Sequence, residues 1–98
     1  MKIPEKIKIG GRIYKVTVTE NIGLGSNYTA EINYCKLEIN VRPMAQGKME
    51  QDFLHELMHA IFDFNGCKDH DEEMIDRLAS ALHMILQDNP GVFGDCDA

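Results

Sequence analysis

Cysteine is scarce in this chain of 98 residues and shows no pattern. The three cysteines, Cys35, Cys67 and Cys96, are odd in number, and none stands in a C-x-x-C spacing. This usage argues against a disulfide framework and is typical of proteins in a reducing cytosol. We therefore expect a cytoplasmic protein with small, unlinked thiols.

Clusters of basic residues and long apolar runs are also missing. The net charge is −6, and no group of lysines or arginines forms the basic patch that nucleic-acid-binding proteins usually carry. The N-terminal residues alternate charged and apolar side chains, unlike a signal peptide, and no apolar stretch has the roughly 20 residues needed to cross a membrane. The composition therefore predicts a protein that binds neither nucleic acid nor membranes.

The length allows one small domain, which we place over residues 1–98. Hydrophobic residues make up 44% of the chain and charged residues 27%, which fits a globular protein. A chain this short buries a modest fraction of its surface, so a bound metal ion would add to its stability as well as to its chemistry.

The N-terminal half, about residues 1–42, shows the alternation of β-strands. Polar and apolar residues alternate on both sides of Gly10-Gly11, a pair typical of β-hairpin turns. A second pair of strands is expected within residues 28–41, around a turn near residues 34–36. Pro43 disfavours any continuation of the last strand.

Two helices are expected in the C-terminal half. Apolar residues at spacings of three and four predict a helix over residues 48–65, with Gly66 as the left-handed residue after its end. An acidic first turn and a second apolar stripe predict another helix over residues 71–88, followed by a loose tail at 91–98. The stripe comprises Ile75, Leu78, Leu82, Ile85 and Leu86. The predicted fold class is α+β, with a small antiparallel or mixed sheet packed on the helices.

The first helix contains the sequence HELMH at residues 55–59, which is the H-E-x-x-H pattern. On a helix, His55 and His59 lie on one face, one turn apart, where both imidazoles can reach one zinc ion. Glu56 points to the side, where it can act as general base on the attacking water instead of binding the metal. The alternative is a helix with two partly buried, hydrogen-bonded histidines.

A third ligand is expected downstream, because catalytic zinc usually has three protein ligands. The short link predicts an antiparallel helix hairpin, and Glu72 then lies near the edge of the apolar stripe, whereas Glu73 lies nearly opposite it. Glu72 is therefore preferred and Glu73 is the alternative. Asp71 is shorter and nearer the helix end, and His70 falls in the link. Candidates to hold the free N–H of a ligand histidine are Asp63 and Asp76.

The sequences HELMHAIFDFNG and DEEMIDRLASALHMILQDNP together resemble the short ImmA/IrrE-type zinc peptidase-like proteins of phages and other mobile elements, which are zincins of the gluzincin type. The resemblance covers residues 50–90 and, more weakly, the second strand pair. It implies that His55, His59 and Glu72 bind Zn²⁺ and that Glu56 is the catalytic base. It also implies a zincin-like fold with a small sheet over the active-site helix.

We expect the chain to depart from larger gluzincins, with no N-terminal helix and no separate lower domain. No histidine or tyrosine follows the motif where an oxyanion-stabilising donor would be recognised. The ring donors to consider are Tyr14, Tyr28, Tyr34 and His83.

We expect a zinc-dependent metalloendopeptidase that acts on a protein or peptide, which by the resemblance can be a regulatory protein. The resemblance also implies a phage or mobile-element protein that works in the cytoplasm of a bacterial host. Two alternatives remain: a zinc-stabilised protein-interaction module without turnover, and a toxin-like protease effector. A strand within residues 28–41 could pair with an extended substrate.

Overall fold

The computed structural model describes residues 1–92 and confirms the α+β class expected from the sequence. Within this range the elements are β1 (Lys6–Ile9), β2 (Arg12–Val18), β3 (Ala30–Asn33), β4 (Glu38–Val41), α1 (Gln46–Phe64) and α2 (Glu72–Asp88). Cys96 and most of the predicted tail lie outside the described residues. None of the helices in residues 1–92 has the length and apolar character required to cross a membrane.

The first two strands form the hairpin predicted around Gly10-Gly11. They pair antiparallel with Ile9 opposite Arg12, and the two glycines have φ values of 57° and 88°. Two successive positive φ angles match the tight hairpin turn that glycine adopts without strain. The ring of Phe64 lies directly against Gly10, where a Cβ atom would overlap it. The hairpin turn thus contacts the C-terminal end of α1.

The sheet is mixed, with the strand order β1-β2-β4-β3. β2 and β4 are parallel neighbours, with Val16 beside Ile39, whereas β3 and β4 are antiparallel, with Ile32 beside Ile39. Ile39 and Val41 on the central strand β4 are fully buried. β3 lies at the edge of the sheet, and its outer side has no strand partner within residues 1–92.

The helices form a second layer in which α1 packs on the sheet and α2 packs on α1. Ile75 and Ala79 are the fully buried residues of α2. Leu78 and Ile85, which the periodicity places in the same stripe, are 42% and 40% exposed. The apolar stripe predicted from the sequence is therefore only partly covered. α2 contacts α1 and none of the strands in residues 1–92, so only a narrow face of it is covered.

We expect Gly10→Ala to lower the free energy of unfolding more than Gly11→Ala does. Both substitutions force alanine into the left-handed region, which costs roughly 1–2 kcal/mol. Only at Gly10 must the added methyl group also displace Phe64, because a Cβ at Gly11 meets nothing within 4 Å. Urea unfolding of the two variants measures the difference, and equal losses would show that Phe64 does not stabilise the turn.

Candidate metal centre

Two histidines of α1 and one glutamate of α2 converge at one point. Nε2 of His55 is 3.1 Å from Oε1 of Glu72, and Nε2 of His59 is 2.9 Å from Oε2 of the same carboxylate. One donor atom from each residue lies within 4.8 Å of the other two, so the group could hold a metal ion. Two imidazoles and a carboxylate form one of the ligand sets that catalytic zinc sites use.

The separations of the donor atoms suit a small divalent cation. Ligands at roughly 2.0–2.1 Å from zinc in a tetrahedral arrangement are about 3.3 Å from one another. The two imidazole–carboxylate separations, 3.1 and 2.9 Å, are only slightly shorter. Both histidines also turn the same ring nitrogen, Nε2, toward Glu72, so a single ion could contact all three residues.

His70 supports His59 from the side away from Glu72. Nδ1 of His59 is 2.7 Å from Nδ1 of His70, and Nε2 of His70 is 2.7 Å from the carbonyl oxygen of Cys67. A carbonyl oxygen only accepts, so Nε2 of His70 carries the proton and its Nδ1 accepts from Nδ1–H of His59. With this tautomer the lone pair on Nε2 of His59 faces an acceptor, Oε2 of Glu72, at 2.9 Å. A metal ion between the two atoms would stabilise this contact, and this tautomer is the one that can bind it.

The two carboxylates considered as partners of the histidines have different surroundings. Oδ1 of Asp76 lies 3.4 Å from Nδ1 of His55, at the long end of a polar contact. Asp63 instead pairs with Arg12 at 3.6 Å, close to the hairpin. The structure therefore places Asp76, and not Asp63, beside a histidine of the metal group.

Three acidic residues at the start of α2 occupy three distinct positions. Asp71 is the N-cap, and its Oδ1 accepts from the backbone N–H groups of Glu73 and Met74 at 3.0 and 3.4 Å. The Glu73 carboxylate points toward Arg77 on the outer face of the helix, at 3.4 Å. Glu72 is the one of the three that reaches the histidines, although its side chain remains 67% exposed.

Glu56 lies beside this group, with 8% of its surface exposed. Burial raises the pKa of Glu56 to about 7, opposed by the nearby His55 and reinforced by the negative charge of Glu72. Burial also lowers the pKa of His59, although the Glu72 carboxylate acts in the opposite direction. The neutral imidazole is thereby favoured at His59, and it is the form that can bind a metal.

A cleft of about 460 Å³ opens in front of the metal group. One wall consists of His55, Glu56, His59 and Glu72, and the other of Leu24, Tyr28, Ala30, Glu31, Ile32 and Tyr34. The edge strand β3 therefore faces the histidine helix across the cleft. An extended molecule lying along β3 would pass directly in front of the metal group.

The loop between β2 and β3 forms the rim of this cleft, and Arg42 anchors it. The guanidinium group donates to the backbone carbonyls of Glu20, Gly25 and Tyr28, each at 3.1 Å. These bonds hold a turn-rich segment against the end of β4. Sequence reasoning did not identify Arg42, because a single arginine before a proline has no distinctive local pattern.

The four ring donors named from the sequence occupy different parts of the molecule. Tyr28 and Tyr34 line the cleft, whereas Tyr14 is buried in the core. His83 contacts Oε1 of Glu50 through Nε2 at 2.9 Å, away from the metal group. Tyr28 and Tyr34 are thus the tyrosines positioned to touch a molecule in the cleft.

Glu72→Gln should weaken zinc binding by more than about 100-fold, because it removes an anionic ligand and not merely a supporting group. The matched substitution one residue later, Glu73→Gln, should leave affinity unchanged, since that side chain points toward Arg77. Competition with a chelating dye measures both affinities. The reverse result would identify Glu73 as the ligand and show that the start of α2 is rotated relative to this structure.

His70→Leu should reduce zinc affinity by about 10–100-fold, the usual loss when a partner of a ligand histidine is removed. Asp69→Asn, on the same link, is the control and should bind zinc as the parent does. The same dye competition measures both variants. An unchanged affinity in His70→Leu would show that His59 keeps its metal-binding tautomer without this contact.

Comparisons with profiles of known protein families, with curated protein sequences and with solved structures gave no match for this chain. What the protein does is therefore inferred from the residues of the metal centre and their geometry.

Proposed function

We propose that the chain is a zinc-dependent metalloendopeptidase. His55, His59 and Glu72 would bind Zn²⁺, and Glu56 would be the general base. The observation that carries this proposal is the convergence of both histidines of the H-E-x-x-H motif with a carboxylate of the next helix, at a cleft that Glu56 also lines. The proposed substrate is a protein or peptide.

Each residue near the metal group would have a separate role in peptide hydrolysis. Zinc, when bound, would supply a Lewis acid that polarises the substrate carbonyl and makes water more acidic. Glu56 would take a proton from the attacking water and pass it to the leaving amine. His70 would orient the imidazole of His59, whose Nδ1 is 2.7 Å from Nδ1 of His70. Asp76 would orient the imidazole of His55, whose Nδ1 is 3.4 Å from Oδ1 of Asp76.

Tyr34 is the candidate to stabilise the oxyanion of the tetrahedral intermediate. It lines the cleft together with Glu56 and Glu72. Burial raises the pKa of Tyr34 to about 12, and the negative charges of Asp63 and Glu56 add to this shift. The phenol therefore keeps its proton at neutral pH and can donate a hydrogen bond to developing negative charge.

The edge strand β3 offers a site for the substrate backbone. It forms the wall of the cleft opposite the histidines, and its outer side has no strand partner in the described part of the chain. A peptide in extended conformation could add to such an edge through main-chain hydrogen bonds. This mode of binding recognises an extended backbone and leaves specificity to pockets for individual side chains.

A second candidate function is a zinc-stabilised protein-interaction module. The observation that favours it is an apolar stripe on the outer face of α2, where Met74, Leu78 and Ile85 are 52%, 42% and 40% exposed. Their spacing of four and seven residues places them on one side of the helix. In this alternative the metal would join the two helices and no turnover would occur.

Glu56→Gln should retain zinc and lose turnover by about 10²–10⁴-fold, the usual contribution of a general base. Glutamine has almost the same shape but cannot accept the proton. Zinc content and hydrolysis of an unfolded protein such as casein, measured on parent and variant, test this, with Glu73→Gln as the surface control. Loss of zinc from Glu56→Gln would reject its assignment as base. A zinc-loaded parent without hydrolytic activity would favour the interaction module.

A further inference from the structure

A second cavity, of about 230 Å³, adjoins the metal cleft. The two share four lining residues, Tyr28, Ala30, His55 and Glu56. The second cavity is also lined by Asn27, Thr29, Lys48, Asp52 and Asp76. Its volume is several times the roughly 30 Å³ that one water occupies in the liquid. It therefore has room for a side chain of a molecule bound in the cleft, and we call it the Asp52 pocket.

Asp52 is one of the residues that line this pocket, and one of its side-chain oxygens is unsatisfied. The residue is 8% exposed, and its Oδ1 receives the ammonium group of Lys48 at 2.6 Å. Its Oδ2 is buried and has no hydrogen-bond partner within residues 1–92. A buried carboxylate oxygen without a donor costs free energy. Because the torsion that turns an aspartate carboxylate is soft, Oδ2 can turn toward a donor that enters the pocket.

The charges that face the pocket favour a cation. Asp52 and Asp76 are acidic, and Glu56 adds a third carboxyl group. Within residues 1–92, Lys48 is the one lysine or arginine that lines the pocket, and half of its side chain is exposed. Lys48 thus neutralises part of the negative charge from the solvent side, while Oδ2 of Asp52 has no donor within residues 1–92.

An organic cation suits the pocket better than a second metal ion. Among residues 1–92, the group whose donor atoms lie close enough for a metal consists of His55, His59 and Glu72, and it does not include Asp52 or Asp76. An ammonium or guanidinium group carries several N–H donors that can reach acceptors at separate positions. Its alkyl stem would pass through the part of the pocket that adjoins the metal cleft.

We propose that the Asp52 pocket binds the ammonium or guanidinium group of a lysine or arginine side chain that neighbours the scissile bond. This specificity rests on the proposed peptidase function, whereas recognition of the cation itself does not. Asp52 would accept from the cation through Oδ2, and Lys48 would compete with it for the same carboxylate. A free peptide α-amine has the same chemistry and is the other source of a cation to be distinguished.

The test is equilibrium binding of small amides to the zinc-loaded protein, followed by calorimetry or NMR titration. The three probes are N-acetyl-lysine methylamide, N-acetyl-norleucine methylamide and norleucine methylamide with a free α-amine. The lysine probe should bind about tenfold more tightly than the acetylated norleucine probe, as expected for one charge-assisted hydrogen bond. Equal affinity for the lysine probe and the acetylated norleucine probe would overturn the proposal. Preference for the free α-amine over the lysine side chain would overturn the side-chain assignment.

Two variants should change this preference in opposite directions. Asp52→Asn should remove the advantage of the lysine probe, whereas Lys48→Gln frees Oδ1 from its competing cation and should increase that advantage. Asp88→Asn, at the far end of α2, is the charge-matched control and should bind all three probes as the parent does. Should Asp52→Asn fail to fold, Lys48→Gln still decides, because an unchanged or smaller lysine preference in it contradicts the proposal.

The cation-binding pocket and the peptidase function can be rejected independently by these experiments. Selective binding of the lysine probe by a protein without hydrolytic activity would support the pocket and reject the peptidase. Hydrolysis without any preference for lysine or arginine near the cleaved bond would support the peptidase and reject the pocket.

Discussion

The rotation of α2 against α1 is the constraint on which the candidate metal centre depends. Ile75 and Ala79 are fully buried, and Asp71 caps the helix by accepting two backbone N–H groups. A fixed start and a fixed buried face leave the helix only one rotation about its axis. Glu72 then faces the histidines, while Glu73, about 100° further round, faces solvent.

The same helix pair is held by buried polar contacts away from the metal centre. His83 of α2 contacts Glu50 of α1 at 2.9 Å, and Gln46 donates to the same carboxylate at 2.8 Å. Although burial opposes the shift, these hydrogen bonds hold the pKa of Glu50 below its usual value. Sliding one helix along the other would separate His83 from Glu50, whereas Gln46, which belongs to α1, would stay in contact with Glu50. The loss of this partner for a buried carboxylate costs free energy. The polar contacts thus support a register that the narrow apolar face of α2 alone would specify only weakly.

Much of the local structure follows from sequence patterns. Helix periodicity placed the two helices at 48–65 and 71–88, within two residues of Gln46–Phe64 and Glu72–Asp88 at every end. The four-residue spacing of His55 and His59 alone puts them on one face of a helix. The phase of α2 likewise favoured Glu72 over Glu73, because a short link between helices leaves few ways to pack them. In the first two cases the deciding interactions lie within a few residues of one another along the chain.

The sequence by itself thus determined the elements, the hairpin at Gly10-Gly11 and the face that carries the histidines, because backbone geometry and periodicity are local. Tertiary structure decided that β2 and β4 run parallel and that β3 is an edge strand opposite α1. It also decided the contacts of His70 and Asp52, since neither residue belongs to the H-E-x-x-H pattern. Their positions depend on how the link folds back on α1 and on which side chains close a cavity. These contacts between distant segments exist only once the sheet and both helices have packed, and no local period encodes them.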